Sequence, residues 1–176
     1  MWPDRRLLDL LGIELPIVQA PMAGANGSAM AIAASEAGGL GSLPCAMLDI
    51  DNIRAEIGVI RQQTAKPVNV NFFCHTPPEP DPDRDAAWKA RLAEYYTEFG
   101  LADDATAPAV IRAPFDEAMC GIVEELHPEV VSFHFGLPAE ALLARVKAAG
   151  CVVLSSATTV AEARWLEARG CDAIIA

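Results

Sequence analysis

Pro67-Val-Asn-Val-Asn-Phe-Phe73 is the stretch that decides the fold. In an extended chain successive side chains point to opposite faces, so Val68, Val70 and Phe72 share one face and Asn69, Asn71 and Phe73 the other. The first face suits a layer of helices; the second leaves two amides pointing into the interior of a sheet. Val130-Val-Ser-Phe-His-Phe-Gly136 repeats the arrangement, with Val131, Phe133 and Phe135 expected to pack outward and Ser132 and His134 expected to point inward. Pro16-Ile-Val-Gln-Ala-Pro-Met22 reads as an earlier strand that also delivers polar and flexible groups at its carboxyl end.

Working outward, helix-like runs alternate with these strands at about 20 to 25 residues. Ala29–Ala37 ends in Gly38-Gly39, Pro138–Ala149 stops at Gly150, and Thr159–Arg169 stops at Gly170. Glycine just past a helix supplies the left-handed residue that terminates it. An amphipathic helix is expected over Ile50–Gln63, and short strands over Leu40–Leu43, Cys151–Ser155 and Ala173–Ala176. This alternation implies an α/β protein with a parallel sheet and right-handed crossovers, either doubly wound or a barrel. No G-x-G-x-x-G follows the first strand, which argues against a dinucleotide-binding open sheet.

Residues 76–114 break the rhythm. A Pro/Asp-rich stretch (Pro77–Pro82) leads to a helix around Ala86–Phe99 and a loose Ala/Asp/Pro tail. The insertion follows the third expected strand, at the site end of a barrel, where long loops serve as lids or substrate-facing covers, or as plain surface elaboration.

The net charge of −11 leaves no basic stripe for nucleic acid. No apolar run of about 18 residues suggests a membrane span, and the N-terminus lacks the pattern of a signal peptide, so a cytoplasmic protein is expected. The five cysteines are odd in number and never spaced as C-x-x-C; Cys151 and Cys171 open strands and read as reduced core residues. Three histidines without a paired ligand motif predict no metal.

The chemistry is expected at the strand ends. Burying an unpartnered amide or imidazole costs about 1–3 kcal/mol, so two strands that place such groups on one face call for a polar ligand. A lone inward histidine is commonly a satisfied core residue; the co-facing amides are what point to a ligand site. In Gln19-Ala-Pro-Met-Ala-Gly24, Pro21 belongs at a strand end, and small residues let backbone approach a flat ligand. His75 and His127 are the weaker candidates: His75 lies beyond its strand, in the insertion, and His127 precedes Pro128 at the opposite end of a strand. Ser155-Ser-Ala-Thr-Thr159 opens a helix, as an N-cap or a cofactor contact.

Three segments together, Gly12–Gly24, Pro67–Phe73 and Val131–Gly136, with the ending Gly170–Ala176, resemble the nitronate monooxygenase family. The resemblance covers nearly the whole chain apart from 76–114. It implies a (β/α)8 TIM barrel, of which residues 1–176 would supply the N-terminal five to six β/α units. It also implies an FMN cofactor, with the backbone around Ala20, Pro21 and Met22 along the flavin ring and a hydrogen bond from Asn69. His134 would be the catalytic residue in the substrate cavity, with Asn71 facing substrate. The implied reaction is oxidative denitrification of a small-molecule nitronate with O2. An NAD(P)H-dependent quinone or enoyl-thioester reductase of the same barrel type, or a non-catalytic fragment, are the alternatives. Phosphate-binding loops are expected beyond Ala176. Residues 1–176 alone are expected to aggregate, domain-swap or stay partly unfolded, and to hold FMN weakly or not at all; a homo-oligomer is a further expectation for the whole protein.

Overall fold

The alternation along residues 68–73 is realised as a two-faced parallel sheet. The computed structural model describes residues 2–101 and 112–176. In chain order the elements are α1 (Arg6–Leu11), α2 (Ser28–Glu36), β1 (Gly41–Pro44), α3 (Ile50–Gln63), β2 (Val68–Phe73), α4 (Pro82–Arg91), α5 (Ala93–Glu98), α6 (Glu117–Leu126), β3 (Val130–His134), α7 (Glu140–Ala148), β4 (Val152–Ser156), α8 (Val160–Ala168) and β5 (Ala173–Ile175). Every pairing is parallel, and the strands lie in the order β1-β2-β3-β4-β5. A doubly wound sheet reverses its order at a switch point. Here the order never reverses, and α2, α3, α6, α7 and α8 all contribute to one core on one face, which is the wall of a β/α barrel.

That outer core takes Leu43, Val68, Val70, Phe72, Val131, Phe133 and Val153 from the strands and the apolar stripes of the helices, such as Ile53, Ile57 and Ile60 of α3. Helix α3 starts where Asp49 accepts a hydrogen bond from Asn52 N. On the inner face, Leu40, Val130 and Leu154 form a lower apolar layer that Leu8, Leu11 and Ile13 cover, so α1 floors the amino-terminal end of the strands. The sequence reading contained no α1. Its six residues, Arg-Leu-Leu-Asp-Leu-Leu, follow an Arg5 N-cap that makes no capping bond, with Asp4 Oδ1 accepting from Arg6 N at 3.0 Å, and burial of Leu8 and Leu11 against the sheet holds them helical.

The stretch 16–22 is not the full strand expected. Only Val18 bridges to Leu40: Leu40 N donates to Ile17 O and Gln19 N to Leu40 O, both at 2.9 Å. Pro16 and Pro21 lack N–H groups, and the next donor of β1, Ser42 N, goes instead to the side-chain Gln19 Oε1 at 2.8 Å. The insertion therefore follows the second full strand. It leaves and returns at one point, with Phe115 N donating to Phe73 O at 2.7 Å.

The chain falls into two units, residues 1–75 with 112–176, and residues 76–111. In the second, Asp81 caps α4, and neither α4 nor α5 contains a buried residue. The guanidinium of Arg91 lies 5.4 Å from the Trp88 ring centre. Of the loose tail expected there, residues 102–111 lie outside the described residues.

One close approach sets how α2 sits on the sheet. A Cβ added at Gly41 would stand 1.9 Å from Ala31 O, so the helix backbone touches the strand backbone. Gly41→Ala is expected to cost about 2–3 kcal/mol in denaturant unfolding of the intact protein, the upper range for overpacking. Gly58→Ala, in α3 with nothing within 4 Å of the added methyl, is the contrasting control and should be neutral or stabilising by up to about 1 kcal/mol.

Candidate functional site

Above the apolar floor, the inner face becomes polar. Ser42, Asn69, Asn71 and Ser132 are all buried there. Asn69 Nδ2 donates to Ser42 Oγ at 3.0 Å and Ser132 Oγ at 2.9 Å, and Asn71 Nδ2 donates to Ser132 Oγ at 2.9 Å and Ser132 O at 3.1 Å. The nitrogen of each amide is thus committed. Asn69 Oδ1 is different: it is buried and has no hydrogen-bond partner among the described residues. A buried acceptor left open carries a desolvation cost that a ligand N–H or O–H would relieve.

The carboxyl ends of β2 to β4 add Phe73, His134 and Ser156 on the same face, by the register Phe73↔His134. His134 Nδ1 lies 3.0 Å from Ser156 Oγ, and no partner is found for Nε2 among the described residues. Partial burial pushes the imidazole below its ordinary value of 6.5, favouring the neutral ring. A cavity of about 640 Å³ opens beside it, lined by His134, Phe135, Ser156, Thr158, Glu162 and Trp165 among others. Glu162 does not offer a free carboxylate. It accepts from Thr158 N, Thr158 Oγ1 and Thr159 N, and this hydrogen bonding holds its carboxyl below the usual range. Thr159 completes a capping box with it, so this end of the Ser155–Thr159 segment serves as an N-cap.

Phe135 does not pack outward as expected. It lies past the end of β3 with φ of +67° and is 65 % exposed. The outward partner of that turn is Ser155, which donates to Phe133 O at 3.1 Å and Gly136 O at 2.9 Å. Phe135, Phe73 and His75, with Ala23 and Arg112, line a second cavity of about 420 Å³. His75 thus meets the site's aromatic edge. His127 stands apart as the left-handed cap of α6, with Nδ1 3.2 Å from Ala149 O.

Residues 20–25 run largely exposed beside this mouth and are tied to β1 from below. Met22 N donates to Asn26 Oδ1 at 2.7 Å, and Asn26 Nδ2 donates to Ser42 O at 2.9 Å. Ala20, Pro21 and Met22 therefore hang on the residue whose hydroxyl receives Asn69. Burial pushes the Cys45 and Cys74 thiols up to about 12, so neither is a reactive nucleophile at neutral pH.

The family model for nitronate monooxygenase matches residues 4–176. The chain belongs to the nitronate monooxygenase family. It is 44 % identical to a nitronate monooxygenase of Paraburkholderia phytofirmans, over 98 % of this chain and 47 % of that protein. It is 42 % identical to one of Pseudomonas aeruginosa, over 97 % and 49 %. Among solved structures it is similar to a nitroalkane oxidase from Streptomyces ansochromogenes, with a TM-score of 0.81 and 37 % identity over 97 % of this chain and 47 % of that one. FabK from Thermotoga maritima follows at 0.70 and 29 %, over 97 % of this chain and 43 % of that one. The chain spans about half the length of the curated relatives it matches.

In this nitronate monooxygenase family member, the sequence reading passed over three positioning residues. Gln19 and Asn26 use side-chain amides where backbone pairing was expected, and Ser156 orients the histidine of a neighbouring strand. An amide directly after a one-residue bridge, and a serine in register with an inward histidine, are the signals that could have found them.

Two outcomes follow for this tier. Ser132→Ala removes the acceptor shared by both amides and should cost about 1–3 kcal/mol of stability, read by chemical denaturation. His134 should titrate below 6.5, observable by NMR of its ring protons. Because the folded value is depressed, the unfolded chain takes up the proton first as pH falls. The stability associated with His134 is complete above the ordinary value and is lost as pH drops from there through the folded one.

Proposed function

We propose that the protein oxidises nitronates, the anions of nitroalkanes or of nitro-acids such as 3-nitropropionate, using FMN and O2, with release of a carbonyl product and nitrite or nitrate. The observation that carries this reading is the pairing of a neutral, serine-anchored His134 with an open buried acceptor, Asn69 Oδ1, in a chain of the nitronate monooxygenase family. A flat heterocycle with a ring N–H fits that acceptor, and the small side chains of residues 20–25 leave backbone free to lie against its face. Bound there, the flavin supplies the electron transfer and the oxygen chemistry.

The chain's own residues bind, orient and handle protons. Asn69 Oδ1 would accept a hydrogen bond from the flavin, and the backbone at Ala20, Pro21 and Met22 would support it. Asn71, whose nitrogen is engaged by Ser132, braces the tier on the substrate side. His134 has two uses set by its tautomer. With Nδ1–H donating to Ser156 Oγ, Nε2 is a base that takes the α-proton of a neutral nitroalkane. With Ser156 donating to Nδ1, Nε2–H donates to an oxygen of a preformed nitronate. Burial keeps the ring neutral, so both are available near pH 7.

The intact protein is expected to purify yellow and to consume oxygen with an alkyl or propionate-type nitronate. With a neutral nitroalkane as substrate, His134→Asn should lower turnover by about 10²–10⁴, the range for a lost acid–base group, without unfolding the protein. Asn69→Ala should weaken flavin retention by about tenfold or more, a hydrogen bond's worth. A colourless protein that FMN cannot reconstitute would defeat the reading. NADH consumption without any nitronate would favour the quinone or enoyl-thioester reductase instead.

A further inference from the structure

Phe135 is placed against its own conformational preference. At φ of +67° it occupies a left-handed region that a bulky residue rarely adopts and that glycine reaches without strain. Three hydrogen bonds hold the turn: Cys74 N to His134 O, and Ser155 Oγ to Phe133 O and Gly136 O. The ring gains nothing from the core in return, because it belongs to neither apolar cluster and is 65 % exposed. What it touches is the site. Its centroid lies 5.2 Å from Phe73 in an edge-on arrangement, 6.2 Å from His75 and 6.2 Å from His134. It also lines both cavities, the larger beside His134 and Ser156 and the smaller beside Phe73 and His75.

We propose that Phe135 is the specificity-determining wall of the substrate cavity: its ring divides the space beside His134 from the space beside His75, and so limits the length of apolar chain a nitronate can carry. The proposal rests on the nitronate-oxidising reading for the identity of the substrate, but the wall itself is a property of these side chains. An aromatic ring between two cavities blocks a chain by sterics alone. Its removal joins the two spaces and leaves the polar tier, the His134–Ser156 pair and the loop 20–26 untouched.

Two variants of the intact protein separate the ring from the backbone. Phe135→Ala removes the ring and keeps the strained conformation; Phe135→Gly removes the ring and relieves it, so it should melt at a temperature equal to or above that of the alanine variant. Binding is read with butanoate, hexanoate and octanoate, unreactive anions shaped like nitronates, through tryptophan fluorescence, since Trp165 lines the larger cavity. Both variants should improve octanoate binding relative to butanoate by about tenfold over the unsubstituted protein, as expected when a pocket gains room for added methylenes. The ratio of kcat/KM for a long-chain over a short-chain nitronate should move the same way. A chain-length ratio that stays within about twofold of the unsubstituted protein, or an absence of chain-length response in all three proteins, overturns the wall. Oxygen uptake with nitronates by the unsubstituted protein tests the functional reading separately. Its absence alongside a shifted carboxylate ratio would reject the substrate and keep the wall.

Discussion

One hydroxyl oxygen, Ser132 Oγ, receives amide N–H groups from both Asn69 and Asn71, two residues apart on the neighbouring strand. Buried amides must find partners within the protein, and here three strands supply them to one another through Ser42, the asparagines and Ser132. A slip of one residue between β2 and β3 would send both asparagines into the helix layer and Val70 and Phe72 into the interior. The tier therefore locks the register, and with it the level at which Phe73, His134 and Ser156 emerge at the mouth. Everything proposed for the site depends on that alignment.

The outer surface makes a weaker contribution. Arg54 bridges α3 to α6 through Glu125, and Arg145 bridges α7 to α6 through Glu117 and Glu124. These pairs are well exposed, and such pairs are each worth about 0–1 kcal/mol. The arrangement of helices is set instead by apolar stripes and by the backbone contact at Gly41.

Much of the fold was legible because its signals are local and periodic. The two-residue period of 68–73 and 130–134 identified inner and outer faces, and Ile50–Gln63 read as the helix it forms. Phe135 was misread because an apolar side chain continuing an alternation argues for a strand, while the left-handed turn at its carboxyl end is fixed by Ser155 and by Cys74 N, both distant in sequence. The stretch 16–22 was misread for a related reason: an amide side chain does at Gln19 what the backbone was expected to do. Helix α1 left no trace strong enough to read, since its stability comes from the floor it covers. The inward positions of Asn69, Asn71 and Ser132 were visible in parity, but the openness of Asn69 Oδ1 became visible only once the serines that occupy its nitrogen were in place.

The hydrogen bond from Phe115 N to Phe73 O gives the insertion an unusual independence. To the sheet, residues 76–111 amount to a turn, because the flanking residues, Cys74 and His75 among them, stay with the strand terminus. The entropy of closing such a loop rises only slowly with its length, so residues can be gained or lost there at little thermodynamic cost to the wall. The inner tier tolerates almost no change in spacing, while the length of the chain over residues 76–111 bears little on the stability of the wall.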